Sequence, residues 1–301
     1  MTTLAKRQQS MGVAAAAAAY LIWGLFPLYF HALQGVPAGE VLAHRVAWSA
    51  LFMAALVTLL RRWPSVLVQL RRPGALPTLT LSALLISTNW LVYIWAVQSE
   101  RVLEASLGYF ITPLVSVLLG VVFLHEPLSR RQLAAVALAG AGVLAMVLWV
   151  GKVPVVALTL AASFGLYGLV RKRLAVDAIA GLLAEVVVLA PLALAWLCWL
   201  AWRGESHFLL SPTATALLTL TGVVTAVPLL LFAVGVRRLT LSTVGLLLYV
   251  NPTTQFALAV WRFDEPFTAA HAIAFGCIWG SLALYSSEAF FRRTDEGGLA
   301  G

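Results

Sequence analysis

The sequence predicts an all-α integral membrane protein, with ten transmembrane helices arranged as two inverted repeats of five. Three observations predict it. First, 61% of the 301 residues are hydrophobic and only 11% charged, with a mean hydropathy of +0.93, whereas soluble domains carry about 25% charged residues. Second, long apolar runs recur along the chain, and short connections between them hold most of the arginines and lysines. Third, a Pro to Glu-Pro motif occurs at matching places in the two halves.

A bilayer core of about 30 Å needs about 20 residues of helix to cross it. The first such run, 12–33, is alanine-rich and follows Lys6 and Arg7, so it can imitate a signal peptide. Removing it would leave nine spans and spoil the alternation of charge. The runs at 39–60, 75–98, 105–124 and 132–150 complete a first unit over 12–150. Those at 153–170, 179–202, 213–235, 242–262 and 268–289 form a second over 153–289, with tails at 1–11 and 290–301.

Ten crossings put both termini on one side, and the basic residues choose the side. Clusters at 6–7, 61–62, 71–72, 130–131, 171–173, 237–238 and 292–293 place fifteen Lys and Arg on the side of the termini; Arg101, Lys152, Arg203 and Arg262 fall on the other. The positive-inside rule makes the first side cytoplasmic. Of the 20 basic residues only Arg45 remains, inside a span. The net charge of +8 forms no basic face or aromatic-interleaved strand, so nucleic acid is not an expected partner; the lipid bilayer is. Cys198 and Cys277 sit singly in apolar runs and read as small buried hydrophobes, without a disulfide or metal site.

Residues 113–129 start at Pro113 and end HEPLS, and residues 252–268 start at Pro252 and end DEPFT. AAYLIWG (18–24) likewise pairs with ASFGLYG (162–168). Because five is odd, the second half must lie upside down relative to the first. Thirteen residues separate each proline from its Glu, a helical length of roughly 20 Å that puts Glu126 and Glu265 at interfaces and both prolines near the bilayer centre. Pro113 and Pro252 are therefore helix-break or hinge candidates, freeing the carbonyls of Tyr109 and Leu248; the alternative is a bend for packing alone. Pro127 and Pro266 read as elbows, with Ser129 and Thr268 capping the next helices.

The segments AAYLIWGLFPLYF, EVLAHRVAWS, NWLVYIWAV, EASLGYFITPLVSVLLG, FGLYGLVRKRLAV and RLTLSTVGLLLYVNPT, spread over nearly the whole chain, closely resemble the RarD family of the drug/metabolite transporter superfamily. The resemblance implies two EamA-type halves, a bacterial cytoplasmic (inner) membrane location and exporter-like transport. It leaves the cargo undefined; related transporters move amino acids and other small metabolites.

A charge at the centre of a helix costs about 2.5–3.5 kcal/mol on insertion scales, so a retained one should face the bundle interior or a watery cavity. Aligning VPAGEVLAHR (36–45) with VDAIAGLLAE (176–185) sets Arg45 against Glu185. They are expected to flank a central cavity, Arg45 reaching a substrate carboxylate or other acceptor and Glu185 a cationic group or a coupling proton. Two plainer readings stand beside this one: Arg45 snorkels to the headgroups, or Glu185 is neutral and hydrogen-bonded. His44 lies about 100° around the helix from Arg45 and suits polar packing better than a shared ligand. Asn89, Trp90, Tyr93, Tyr109, Tyr249, Asn251 and Gln255 supply hydrogen bonds and aromatic walls for a small-molecule substrate, or else ordinary glue between helices.

The remaining motifs carry no chemistry. GAGVLA (140–145) imitates part of a dinucleotide fingerprint but lies within an apolar run, so it reads as small-residue packing, as do Gly276 and Gly280. An integral-membrane enzyme acting on lipid or isoprenoid would need acids, bases or metal ligands gathered at an interface, and no such motif is present. A channel would favour a continuous polar lining, whereas the polar residues cluster near mid-span. The expectation is a transporter, not an enzyme, with no cofactor and no metal.

Overall fold

The computed structural model of the chain describes residues 3–125, 129–236, 238–239 and 247–298, and these are helical throughout apart from connections. Among the described residues, eight segments are long and apolar enough to cross a membrane: Ser10–His31, Ala38–Leu59, Ala75–Gln98, Val102–Leu124, Arg130–Trp149, Val155–Lys172, Ala178–Arg203 and Pro212–Phe232; Ala269–Leu284 is a shorter apolar helix. In chain order the helices are α1 (Thr3–Gly24), α2 (Phe26–His31), α3 (Ala38–Leu59), α4 (Trp63–Leu70), α5 (Ala75–Gln98) and α6 (Val102–Leu124). They continue as α7 (Arg130–Val150), α8 (Val155–Lys172), α9 (Ala178–Arg203), α10 (Pro212–Val236), α11 (Val250–Trp261) and α12 (Ala269–Gly298). Much of the expected ninth span before Val250, and the Glu126-Pro127 turn, lie outside the described residues.

Large apolar side chains such as Leu51, Leu144, Leu148 and Leu192 point outward. In water such a surface would be unstable; in hydrocarbon it is the ordinary exterior. Cys198 lies on this surface and Cys277 is half-buried, so the sequence expectation of two buried thiols is corrected. The error arises because an apolar run does not say whether a side chain meets protein or lipid.

The interior is built by crossings of α3 with α9 and α10, α1 with α10 and α11, α5 with α8 and α9, and α6 with α8 and α11; α7 and α12 pair chiefly with each other. Two glycines mark close approaches between helices. A Cβ at Gly222 would stand 2.5 Å from the Trp48 carbonyl oxygen, so α10 lies directly on α3. A Cβ at Gly142 would stand 2.5 Å from that of Cys277, whereas one at Gly276 would meet nothing. The α7–α12 contact thus uses Gly142 of GAGVLA and, where a Cβ would stand 3.5 Å from Leu138, Gly280, as expected, but not Gly276. The periodicity of small residues offered both faces and could not choose between them.

The two hinge candidates differ. α6 runs unbroken through Pro113, against the expectation. The helix does break at Tyr249, three residues before Pro252, and a further interruption falls at Leu25, two residues before Pro27. A proline in the first turn of a helix loses nothing by lacking an N–H. Pro27 and Pro252 therefore start helical segments, while the carbonyls upstream go without their usual donors.

The ends of the bundle are tied by loops. At the start of α9, the Asp177 carboxylate accepts from the Ile179 and Ala180 N–H groups at 3.0 Å, from Gln69 Nε2 at 2.8 Å and from Arg62 at 3.0 Å. At the start of α3, Glu40 accepts from the His207 N–H and meets His207 Nδ1, each at 2.7 Å. Asp177 meets the connection after α3, and Glu40 the connection after α9, so these helices run antiparallel with the two clasps at opposite ends. At the Glu40 end, Gln98 donates to the Leu33 and Val36 carbonyls at 2.9 Å. There too, Glu265 accepts from the N–H groups of Val102 and Leu103 at 2.6 and 2.7 Å. Ser129 caps α7 with Gln132, as expected; the Thr268 hydroxyl instead meets His271 Nδ1 at 2.9 Å.

Candidate functional site

A cavity of about 370 Å³ lies among these crossings, with its wall running from Phe26 and Arg45 to Arg171, Ala178 and Ile179. It approaches the Asp177 end of the bundle. α1, α3, α5, α6, α8, α9, α10 and α11 all contribute to the wall, as does the short α2. Most of it is aromatic or aliphatic, as small-molecule sites usually are.

Arg45 is only 4% exposed. Its Nε donates to Thr225 Oγ1 at 2.9 Å, a contact that the Gly222 crossing of α10 on α3 makes available. Its guanidinium carbon stands 4.0 Å from the centre of the Trp90 ring, with Phe30 and Phe26 at 5.7 and 5.8 Å. This is a stacked cation–π arrangement, and the side chain points inward rather than snorkelling. Among the described residues no carboxylate lies within 4.0 Å of it.

Glu185, 1% exposed, lies on the same cavity. Ser82 Oγ donates to its Oε1 at 2.6 Å, Tyr167 OH to its Oε2 at 3.4 Å, and Arg171 Nε stands 3.7 Å from Oε1. The ionic partner of Glu185 is therefore Arg171, not Arg45. Arg171 reaches it over Gly181, where a Cβ would come within 2.1 Å of Nη1. Absence of a side chain at that position, one turn before Glu185, gives the guanidinium its bed.

The other sequence candidates divide. Trp90 faces the cavity over Arg45. Tyr93 also lines it, and its buried hydroxyl has no hydrogen-bond partner among the described residues. Asn89 lines the wall, but its Nδ2 is committed to the Leu160 carbonyl and Ser163 at 3.1 and 3.0 Å, and its Oδ1 accepts from Tyr109 OH at 3.2 Å. Asn251 Oδ1 accepts from Gln255 Nε2 at 2.8 Å. The same Nε2 approaches, at 3.5 Å, the Trp23 carbonyl that Pro27 leaves without its helical donor, while Gln255 Oε1 is buried with no partner among the described residues. Pro252 borders the cavity, and Ser106 donates to its carbonyl at 2.8 Å. His44 packs on Phe208, ring centres 4.8 Å apart, and neither it, Tyr249 nor Pro113 belongs to the wall.

Four contributors were not singled out from sequence: Arg171, Gly181, Ser82 and Thr225. Arg171 stands in a basic triplet, RKR, indistinguishable there from a solvated loop charge. The legible signal was Gly181, which leaves a groove on α9 one turn before a buried acid.

Comparison with known proteins fits this geometry. Residues 10–148 match the model of the EamA-like transporter family. The chain is 45% identical to the "Uncharacterized transporter YojE" of Bacillus subtilis (strain 168) over 289 residues, covering 95% of this chain and 97% of that protein. With "Protein RarD" of Escherichia coli (strain K12) it shares 44% identity over 293 residues, 96% and 99% of the two chains. The chain belongs to the RarD family of the drug/metabolite transporter superfamily. A further RarD-family relative, the "Chloramphenicol-sensitive protein RarD" of Pseudomonas aeruginosa, is 33% identical and covers 97% of this chain and 100% of its own length. One crystal structure shares the fold at a TM-score of 0.59 and 22% identity, over 95% of this chain and 99% of that one. This RarD-family chain is thus a multi-pass membrane transporter of a bacterial family, and the Bacillus subtilis relative is itself named a transporter.

Proposed function

We propose that the chain is a secondary transporter that exports a small amphipathic metabolite or drug across the bacterial cytoplasmic membrane by alternating access. Ten helices cross in two inverted EamA-type halves with both termini cytoplasmic, and the cargo binds between the halves. The observation that carries this reading is the cavity of about 370 Å³, whose wall draws on both halves and holds Arg45 and Glu185 at corresponding positions. The packing supports the inversion: exchanging the halves turns α1–α10 into α8–α5, α6–α8 into α11–α1 and α3–α10 into α9–α5, all of which occur.

On this reading the Asp177 end is cytoplasmic by its basic clusters, and the cavity approaches it; the bonds made by Glu40, Gln98 and Glu265 close the other end. Cargo contacts Arg45, Trp90, Tyr93, Tyr109, Asn251 and Gln255, with Asn89 fixing Tyr109. The halves rock, with the break before Pro252 as a compliant point. Glu185 is the residue through which a coupling proton would act, since protonation removes its attraction for Arg171.

The test is reconstitution in liposomes with a panel of labelled metabolites and drugs, with and without a pH gradient. Saturable flux is expected, lost in Arg45→Ala and in Glu185→Gln while insertion and abundance are unchanged. Normal flux in both variants defeats the site assignment, and flux that never saturates favours a channel.

A further inference from the structure

Three charged side chains line the cavity among the described residues: Arg45, Arg171 and Glu185. Arg171 and Glu185 form one pair, Nε to Oε1 3.7 Å, and the other carboxylate contacts come from Ser82 and Tyr167. That pair is electrically neutral, and the carboxylate is already surrounded by donors. It offers no vacant anionic site to an incoming ammonium group.

Arg171 Nη1 is buried with no hydrogen-bond partner among the described residues, but its charge is matched by Glu185; Arg45 has no such match. Its Nε is bonded to Thr225 and its face is covered by Trp90, yet its two terminal nitrogens have no acceptor among the described residues. A buried, uncompensated cation is costly. The edge of a guanidinium presents parallel N–H groups that match two oxygens of a planar acid, and the match is selective for carboxylate over neutral or cationic groups. Around it stand Phe26, Tyr93 and Tyr109, and further along the wall Trp23 and Phe164, which suit an apolar or aromatic body.

Resting on the transport reading, we propose that the cargo is a monoanion: an apolar or aromatic body carrying one carboxylate and no ammonium group. The carboxylate pairs with the edge of Arg45 and supplies its missing acceptors. The body lies along the aromatic wall. The net positive site disfavours amines, and zwitterions gain nothing from their ammonium end because Arg171 occupies Glu185.

The experiment uses the purified full chain in nanodiscs and four probes with one phenyl body: 3-phenylpropanoate, 3-phenylpropanol, phenylalanine and 2-phenylethylamine. Equilibrium binding is measured by calorimetry. The propanoate is expected to bind at least about tenfold more tightly than the alcohol, the scale of one charge-assisted hydrogen-bond pair, with phenylalanine weaker than the propanoate and the amine weakest. In Arg45→Met the propanoate-to-alcohol ratio should fall to about one with alcohol binding retained. Arg45→Lys should keep the order with a smaller ratio, because a point charge replaces the fork.

Alcohol or amine binding as tight as that of the propanoate overturns the proposal, as does absence of binding by all four. A preserved preference in Arg45→Met overturns the role of Arg45. If that variant fails to fold, the wild-type series still decides. Flux of the labelled probes into proteoliposomes separates the two readings: propanoate binding without flux sinks transport and keeps the cargo class, whereas flux of the amine alone sinks the class and keeps transport.

Discussion

Arg45 and Glu185 each lie seven residues beyond the first residue of their helix, α3 from Ala38 and α9 from Ala178, and both are buried, but they are completed in opposite ways. Around Glu185 the chain supplies a hydroxyl, a phenol and a guanidinium; around Arg45 it supplies one hydroxyl and an indole face. The first charge is finished by the protein. The second is left for something else to finish. A buried charge is therefore informative less by its depth than by the count of partners the fold gives it.

The largest expected effect comes from breaking the finished side. Arg171→Ala leaves Glu185 buried beside only Ser82 and Tyr167, and should cost about 3–5 kcal/mol, read as a fall in the melting temperature of the detergent-solubilised protein. Adding Glu185→Gln to it should recover most of the loss; no recovery would mean that Arg171 acts by packing alone. Arg45→Met sharpens the contrast from the other side. Replacing a buried charge that has no counter-ion by an apolar side chain of similar reach should offset the lost Thr225 bond and leave stability about level while transport is lost.

Gly181→Leu is next, since the new side chain would occupy the bed of the Arg171 guanidinium. Overpacking of this kind costs about 1–3 kcal/mol. The loss should shrink in an Arg171→Ala background, which a double-mutant cycle measures. Thr225→Val keeps the shape and removes the acceptor for Arg45 Nε, at about 1.5 kcal/mol; a change within error would show that the indole face alone holds Arg45.

The smallest is Asp177→Ala, which removes the cap of the helix that carries Glu185, at about 1 kcal/mol. Burial pushes the Asp177 carboxyl up, but the Ala180 N–H, Gln69, Arg62 and the Ile179 N–H outweigh it and hold it below its ordinary 3.8. A depressed pKa stabilises the fold above the unfolded value and stops doing so as pH falls through the folded one. The stability gap between wild type and Asp177→Ala should therefore be full above about pH 5 and close at lower pH. A gap unchanged down to pH 2 would assign the cap to geometry rather than charge.

The membrane class and the positions of the first eight spans were legible because hydrocarbon forces runs of about 20 apolar residues between charged turns. Arg45 and Glu185 stood out for the same reason. Other features were not legible. WPSVLVQL is apolar enough to pass for part of a span, and only the structure gives α4 as a separate short helix. Arg171 looked like its neighbours in RKR because sequence does not say which of three adjacent arginines and lysines turns inward. Pro113 and Pro252 read alike in sequence, yet the helix runs through the first and breaks three residues before the second.

The clasps on Asp177 and Glu40 carry a mechanical corollary. Both are made by connecting segments, Arg62 and Gln69 on one side and His207 on the other, gripping the first turn of a long rod. A rod fastened at its tip can swing as a unit once the fastener lets go, with no helix unwinding along the way. Shortening or stiffening either connector should thus change how fast the molecule turns over without altering what it grips.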